Sequence, residues 1–265
     1  MTNWPGTLAL AGVGKMGAAM LRGWLAGGLD PAGVTLIEPT PSPDVTALGL
    51  RLNPPTRRAA EVLVLAVKPQ ALDAAAPLLQ DLAGPETLVV SIIAGKTLAD
   101  LYARFPIAKA FVRVMPNTPA AVGRGAAAGA ANSATTPAQR RWTENLMRAV
   151  GMFEWLADEA LIDAVTALSG SGPAYVFALV EAMAKAGQAV GLPANLAMRL
   201  ARATVEGAGE LMAREPETSA AILRQNVTSP GGTTAAALGV LQNELDALLA
   251  RAVTAARDRA RELGG

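Results

Sequence analysis

The 265-residue chain contains neither cysteine nor histidine. Their absence excludes disulfides, thiolate nucleophiles, imidazole acid–base catalysis and zinc sites built on Cys or His. Neither charge sign dominates, since 23 Lys and Arg stand against 22 Asp and Glu. That balance argues against capture of nucleic acid or membrane surfaces by bulk positive charge. Aromatic residues make up only 4%; Trp24, Trp142 and Trp155 read as packing. No uninterrupted apolar run reaches the length of a membrane span. The first ten residues carry no basic segment ahead of their apolar run, so no secretory signal is expected there. Clustered carboxylates are also missing, so no metal is expected. Chemistry is left to carboxylates, hydroxyls, amines, backbone amides or a borrowed cofactor. With 51% hydrophobic and 17% charged residues, the composition predicts a globular protein of the cytoplasm.

The first half of the chain alternates in pattern. Strand-like runs at 8–11, 34–37, 62–67, 88–93 and 110–114 are separated by helix-like stretches at 16–26, 72–82 and 98–104. Strand, helix, strand at this spacing predicts a mainly parallel sheet with crossover helices. The run VLVLAV at 62–67 is apolar on both faces, as a central covered strand requires. A run at 125–131, a helix at 138–149 and a strand at 152–156 complete this region. Beyond Asp158 the strand pattern stops, and 160–168, 174–190, 194–212 and 238–263 read as helices. The expected fold class is therefore α/β for residues 1–158, followed by an all-α part over 159–265. In the helices at 174–190 and 194–212, polar residues occupy one stripe, with Glu181/Lys185 and Arg202/Glu206 spaced to pair along the helix. The rest of their circumference is apolar or small. One small domain struggles to cover so much apolar surface, which predicts packing against a second copy of the chain, the alternative being an Ala-rich monomeric bundle.

Gly12-Val-Gly14-Lys15-Met16-Gly17 follows the first strand and opens a helix. In that context G-x-G-x-x-G serves a dinucleotide: a tight turn, close approach of pyrophosphate to backbone, and close helix–strand packing. Glu38 ends the second strand, where a carboxylate holds the ribose hydroxyls of NAD and repels the 2′-phosphate of NADP. Thr40 and Ser42 follow it, with hydroxyls able to meet that phosphate, and Arg51, Arg57 and Arg58 lie further on. Ala66-Val67-Lys68-Pro69, Ala94-Gly95 and 115–119 end successive strands and are placed to form one rim. Near the C-terminal helices, 227–234 reads VTSPGGTT. Its hydroxyls and exposed glycine amides suit a carboxylate docked at a helix start, or simply a capped turn. Ser169-Gly170-Ser171-Gly172-Pro173 interrupts the helical pattern and reads as a hinge or a close helix contact.

Taken together, residues 12–17, 66–69, 113–119, 165–177 (VTALSGSGPAYVF) and 227–234 resemble the pyrroline-5-carboxylate reductases. The last two segments are specific to that family. The resemblance implies an N-terminal Rossmann domain and an all-helical domain that dimerises by intertwining, with dimers or multiples of dimers. It implies NAD(P)H-dependent reduction of the C=N bond of 1-pyrroline-5-carboxylate to L-proline, with NADPH as cofactor and NADH possible. It places Gly12, Gly14, Lys15, Met16 and Gly17 at the dinucleotide loop, and Thr40, Ser42 and Asn53 at the adenosine end. Ala66, Val67, Lys68, Pro69, Ala94 and Gly95 fall on the nicotinamide side. Ser229, Gly231, Gly232 and Thr233 fall at a carboxylate cradle, and Thr234 supplies the hydroxyl that bonds the imine nitrogen. Three places depart from the family pattern: Lys15 stands where Asn is usual, Arg224-Gln225-Asn226 where Lys-Asp is usual, and Glu38-Pro39 ends the second strand, which bears on the choice between NADPH and NADH. Two alternatives accompany this reading: a related imine or hydroxy-acid reductase, and a non-catalytic NADP-binding dimeric regulator.

Overall fold

The computed structural model describes residues 4–55 and 57–264. The strand-like runs assemble into one eight-stranded sheet. Its members are β1 (Leu8–Ala11), β2 (Val34–Ile37), β3 (Arg51–Leu52), β4 (Val62–Leu65), β5 (Leu88–Ser91), β6 (Ala110–Met115), β7 (Gly125–Ala131) and β8 (Gly151–Trp155). They lie in the order β3-β2-β1-β4-β5-β6-β7-β8, and every neighbouring pair is parallel except β6 and β7. Only a 3-10 turn, Thr118–Val122, links β6 to β7. A connection that short cannot cross over the sheet, so β7 must return antiparallel.

Among the helices that pack on this sheet are α1 (Lys15–Ala26), α2 (Pro43–Thr46), α3 (Leu72–Leu79), α4 (Leu98–Arg104) and α5 (Pro137–Arg148). Side chains alternate across each strand, so one run serves two cores. Leu8 and Leu10 join Met20, Leu21 and Trp24 of α1 and Leu146 and Met147 of α5. Ala9 and Ala11 face the other way, with Leu72 and Leu79 of α3 and Leu101 of α4. Trp24 also anchors α1 to α5, its Nε1 donating to the Leu146 carbonyl at 2.7 Å.

Several elements differ from the sequence expectation. The stretch 160–168 is not one helix. It is a 3-10 turn, Glu159–Leu161, then α6 (Ile162–Val165), then a π-helical turn, Thr166–Gly170. The Ser171 N–H reaches back to the Thr166 carbonyl at 2.8 Å, which widens the turn before the glycines. The remaining helices are α7 (Gly172–Ala189), α8 (Ala194–Arg214), α9 (Ala220–Asn226) and α10 (Thr233–Gly264). Helices α2 and α9 and strand β3 are too short to leave a periodic signal. Helix α10 begins at Thr233 rather than near 238, because an N-terminal turn tolerates threonines that an interior disfavours. Among the described residues neither Glu181/Lys185 nor Arg202/Glu206 closes as an ion pair. Instead Arg214 Nε meets Glu210 Oε1 at 2.7 Å. Such exposed pairs gain little in water, so spacing alone does not close them.

Contacts divide the chain into two compact units, Met1–Ser171 with Ala256–Gly265, and Gly172–Ala255. In the second unit only Ala184, Ala197 and Ala201 are buried. Phe177, Leu179, Val190, Val240 and Leu248 are each more than half exposed. Among the described residues no helix is long and apolar enough to cross a membrane.

Helix α4 carries a reciprocal cap. Thr97 Oγ1 accepts from the Asp100 N–H at 3.1 Å, and Asp100 Oδ2 accepts from the Thr97 N–H at 2.9 Å. Partial burial pushes the Asp100 carboxyl up, but the Thr97 amide and hydroxyl, with Arg104 and Lys96, outweigh it and hold the group below its ordinary value. A carboxyl depressed in the folded state stabilises above its unfolded pKa, and that stability is lost as pH falls through the folded pKa. Asp100→Asn is therefore expected to cost about 1 kcal/mol at neutral pH in urea unfolding. The gap between variant and parent should close only as pH falls below the ordinary carboxyl value of 3.8. A gap unchanged down to acid would contradict this.

Candidate active site

The strand order reverses direction at β1 and β4, and the loops leaving these two strands meet there. Crevices at such reversals, outside the carboxyl ends of strands, are where parallel sheets take ligands. Gly12 leaves β1 with φ of 90°, its N–H donating to the Ile37 carbonyl at 2.9 Å. A Cβ at Gly12 would stand 2.6 Å from the carbonyl carbon and oxygen of Ala66, and one at Gly17 would stand 2.2 Å from the Gly12 carbonyl oxygen. Both glycines are therefore demanded by backbone packed against backbone. Gly14 differs, because a Cβ there would meet nothing within 4 Å. Its face is open, and it stands at the N-cap of α1 with no side-chain cap. The first amides of α1 thus have no side-chain oxygen from the cap residue, which suits an anion.

A cavity of about 590 Å³ opens beside this loop. It gathers Gly12, Gly14, Thr40, Asn53, Ala66, Val67 and Lys68, together with Glu38 and Arg57. The open glycine face, the uncapped helix and this volume fit the pyrophosphate and adenosine of a dinucleotide. Other expected positions lie outside the cavity wall. Lys15, Met16 and Gly17 form the first turn of α1. Ser42 is exposed and caps α2, its Oγ accepting from the Val45 N–H at 3.4 Å. Pro69 opens a 3-10 turn. Ala94 and Gly95 follow β5; a Cβ on Gly95, whose φ is 71°, would stand 2.7 Å from the Leu263 carbonyl oxygen, so the last turn of α10 rests against that loop.

Two features were not read from the order of residues. Asn53 does not simply face the cavity: its Oδ1 accepts from the Glu38 N–H at 2.9 Å and its Nδ2 donates to the Glu38 carbonyl at 2.7 Å. The second lies around β6. Arg113 is 5% exposed, with Nη1 at 3.1 Å from Glu159 and Nη2 at 3.8 Å from Asp163. Beside it, Asn117 is buried, accepting from the Ala126 N–H at 2.8 Å and donating to the Ser169 carbonyl at 3.0 Å. The π-helical turn ahead of Gly172 is therefore held by β6 and its loop. A motif can flag Arg113 and Asn117, but not their partners some 50 residues away.

In the other unit, residues 227–232 join α9 to α10. The Gly232 N–H donates to the Ser229 carbonyl at 3.0 Å, closing a turn through Pro230 and Gly231. Gly231 has φ of 71°, which that turn position reserves for glycine. A Cβ on Gly232 would lie 2.5 Å from the Ser229 Oγ, so glycine lets that hydroxyl fold over the start of α10. Thr233 and Thr234 are the first two residues of α10, and Thr234 is half-buried. The Ser229 hydroxyl thus lies beside the start of α10, whose first-turn amides are of the kind that can bind an anion.

Residues 159–263 match the family model for pyrroline-5-carboxylate reductase dimerisation, and residues 7–95 that for NADP oxidoreductase, coenzyme F420-dependent. The pyrroline-5-carboxylate reductase of Pseudomonas aeruginosa is 41% identical over 263 residues, covering 97% of this chain and 96% of that protein. The Synechocystis enzyme is 45% identical over 221 residues, 81% of this chain and 80% of its own length. Among solved structures, a pyrroline-5-carboxylate reductase from Coxiella burnetii superposes with a TM-score of 0.90 at 36% identity, covering 98% of this chain and 99% of that one. The Plasmodium falciparum pyrroline carboxylate reductase with NADP bound gives 0.79 at 26% identity, covering 98% of each.

Proposed function

Since this chain belongs to the pyrroline-5-carboxylate reductase family, we propose that it reduces 1-pyrroline-5-carboxylate to L-proline with NAD(P)H, the last step of proline synthesis. It is an oxidoreductase acting on a C=N bond, and it works as a homo-oligomer. The single observation that carries this reading is the pairing of a glycine-walled dinucleotide cavity with the Ser229–Gly232 turn in one chain.

The division of labour follows from the residues present. Gly12, Gly14 and the start of α1 hold the pyrophosphate; Thr40, Ser42 and Asn53 serve the adenosine end. Ala66 to Pro69, with Ala94 and Gly95, border the nicotinamide. When bound, the reduced nicotinamide supplies the hydride, which is why no histidine or cysteine is needed. Ser229, Gly231, Gly232 and Thr233 hold the substrate carboxylate on uncharged dipoles. Thr234 presents its hydroxyl to the ring nitrogen and orients the imine carbon. We assign residues 1–158 to the nucleotide and 159–265 to dimerisation and substrate, and place the enzyme in the cytoplasm.

One assay tests the reading against its alternatives. With pyrroline-5-carboxylate added, absorbance of the reduced nucleotide should fall and an equal amount of proline should appear. Nucleotide binding without turnover would instead identify a non-catalytic regulator, and turnover only on other imines or on hydroxy acids a different reductase. The assembly is tested separately by light scattering, where a monodisperse monomer at micromolar concentration would contradict it.

A further inference from the structure

The loop that leaves β5 carries Ala94 and Gly95, and it is fixed at both ends and from behind. At its start the Ser91 hydroxyl accepts from the Ile93 N–H at 3.2 Å. At its close Thr97 and Asp100 form the reciprocal cap of α4. Against its middle lies the last turn of α10, where the Leu263 carbonyl oxygen leaves no room for a Cβ on Gly95. A further restraint comes from a carboxylate 61 residues beyond the loop's end. Glu159 Oε1 accepts from the Leu98 N–H at 2.8 Å and from Arg113 Nη1 at 3.1 Å. Leu98 opens α4, so its amide has no acceptor within the helix. Arg113 pairs in register with Ser91 across β6 and β5. Its guanidinium is buried, and its Nε has no hydrogen-bond partner among the described residues, so Glu159 and Asp163 are what hold it. Asp163 Oδ2 lies in turn 4.0 Å from Arg261 Nε, on the same last turn of α10 that backs Gly95. All these groups belong to the first compact unit.

We infer that Glu159 is a positioning residue for hydride transfer: with Arg113 behind it, it fixes the Ala94–Gly95 loop where the nicotinamide must lie. The inference rests on the reading that this loop borders the nicotinamide. A buried ion pair seldom adds stability over apolar residues of the same size, but it does fix direction. Here a single oxygen joins the amide at the start of α4 to the guanidinium on β6, so the loop between β5 and α4 cannot drift from the sheet. Hydride transfer needs the reacting carbons about 3–3.5 Å apart, and a misplacement of about 1 Å can slow it a hundredfold. A loosened loop therefore slows transfer without loosening the adenosine end. Glu159, Arg113 and Asp163 do not line the cavity beside the glycine loop, so they act through the loop and not on the nucleotide itself.

The test compares the parent with Glu159→Ala, Glu159→Gln, Glu159→Asp and Ala94→Leu, with circular dichroism to confirm folding. It measures kcat, the Kd of NADPH, and the Kd of 2′-phospho-ADP-ribose, the same nucleotide without its nicotinamide. Glu159→Ala should lower kcat about tenfold or more while the fragment Kd stays within about twofold of the parent. Glu159→Gln keeps an acceptor oxygen at the same reach and should recover most of the rate. Glu159→Asp keeps the charge but is one methylene short, so it should resemble Glu159→Ala; it decides the matter if Glu159→Ala does not fold. A role in stability alone would weaken fragment and full nucleotide together, or leave the glutamine and aspartate variants equal in rate, and either result would overturn the inference. Ala94 is exposed, so Ala94→Leu spares the packing and reports on the loop itself: it should weaken NADPH but not the fragment. If Ala94→Leu is so impaired while Glu159→Ala and Glu159→Asp keep kcat within about twofold of the parent, the inference is wrong and the nicotinamide reading stands. An Ala94→Leu variant indistinguishable from the parent would instead remove that reading, and this inference with it.

Discussion

Replacing Gly12 with alanine is expected to destroy nucleotide binding and weaken the first unit at the same time. The new Cβ meets two obstacles. Gly12 has φ of 90°, which L side chains rarely adopt, and Ala66 and the Val67 nitrogen lie 2.6–2.7 Å from where the Cβ would be. The obstructing atoms are backbone of the loop that leaves β4, so no side chain can swing away. Strain at one such position costs about 1–3 kcal/mol, and forced overpacking costs a similar amount. Gly12→Ala should therefore lose about 3 kcal/mol in denaturant unfolding, and its NAD(P)H affinity should fall by about 100-fold or more. Gly14→Ala is the matched control. Nothing lies within 4 Å of its Cβ, and its φ is −70°. Its stability should stay within about 0.5 kcal/mol of the parent while nucleotide affinity still falls, because the methyl would occupy the face offered to pyrophosphate. If Gly12→Ala and Gly14→Ala melt alike, the assignment of Gly12 to backbone packing is wrong.

The second large effect is expected at Thr234. Thr234→Ala removes one hydroxyl at the second position of α10. Alanine is the better helix former, so the fold should not suffer. If the hydroxyl bonds the imine nitrogen, its loss acts on the reaction and leaves nucleotide binding alone. Turnover should drop by about 10²-fold, the scale for deleting a single hydrogen-bonding group that acts in the transition state. The Kd for NADPH should remain within about twofold of the parent. Thr234→Ser keeps the hydroxyl and should recover most of the rate. Full activity in Thr234→Ala, with proline measured directly as product, would remove that residue from the mechanism.

How far the site was legible depends on how far each partner lies along the chain. The β1 to α1 loop was readable because its chemistry is local: a strand end, three glycines at fixed spacing and a helix start all fall within residues 8–26. The turn before α10 was readable for the same reason, since Pro230 and Gly231 sit where such a turn needs them. Glu38 was legible as an acid at a strand end, but its fixing was not. The amide that clamps it comes from Asn53, 15 residues on, across β2 and β3. Arg57 looked like one of several scattered arginines until the path from β3 to β4 set it in the cavity wall. The buried charges around Arg113 depend on Glu159 and Asp163, which the path through β7, α5 and β8 brings back to β6.

Residue order alone indicated a parallel α/β beginning, a helical ending, a glycine-rich loop between β1 and α1, and a glycine-containing turn ahead of α10. Each rests on periodicity or on glycine and proline at short spacing, and such signals survive without a folded neighbour. Tertiary structure decided the reversal between β6 and β7, the π-helical turn ahead of Gly172, and which side chains share the cavity with the glycine loop. These depend on groups far apart in the chain meeting at distances near 3 Å, as where Asn117 donates to the Ser169 carbonyl at 3.0 Å. Local propensity says nothing of such meetings, because they form only when sheet order and crossover paths bring distant backbone together.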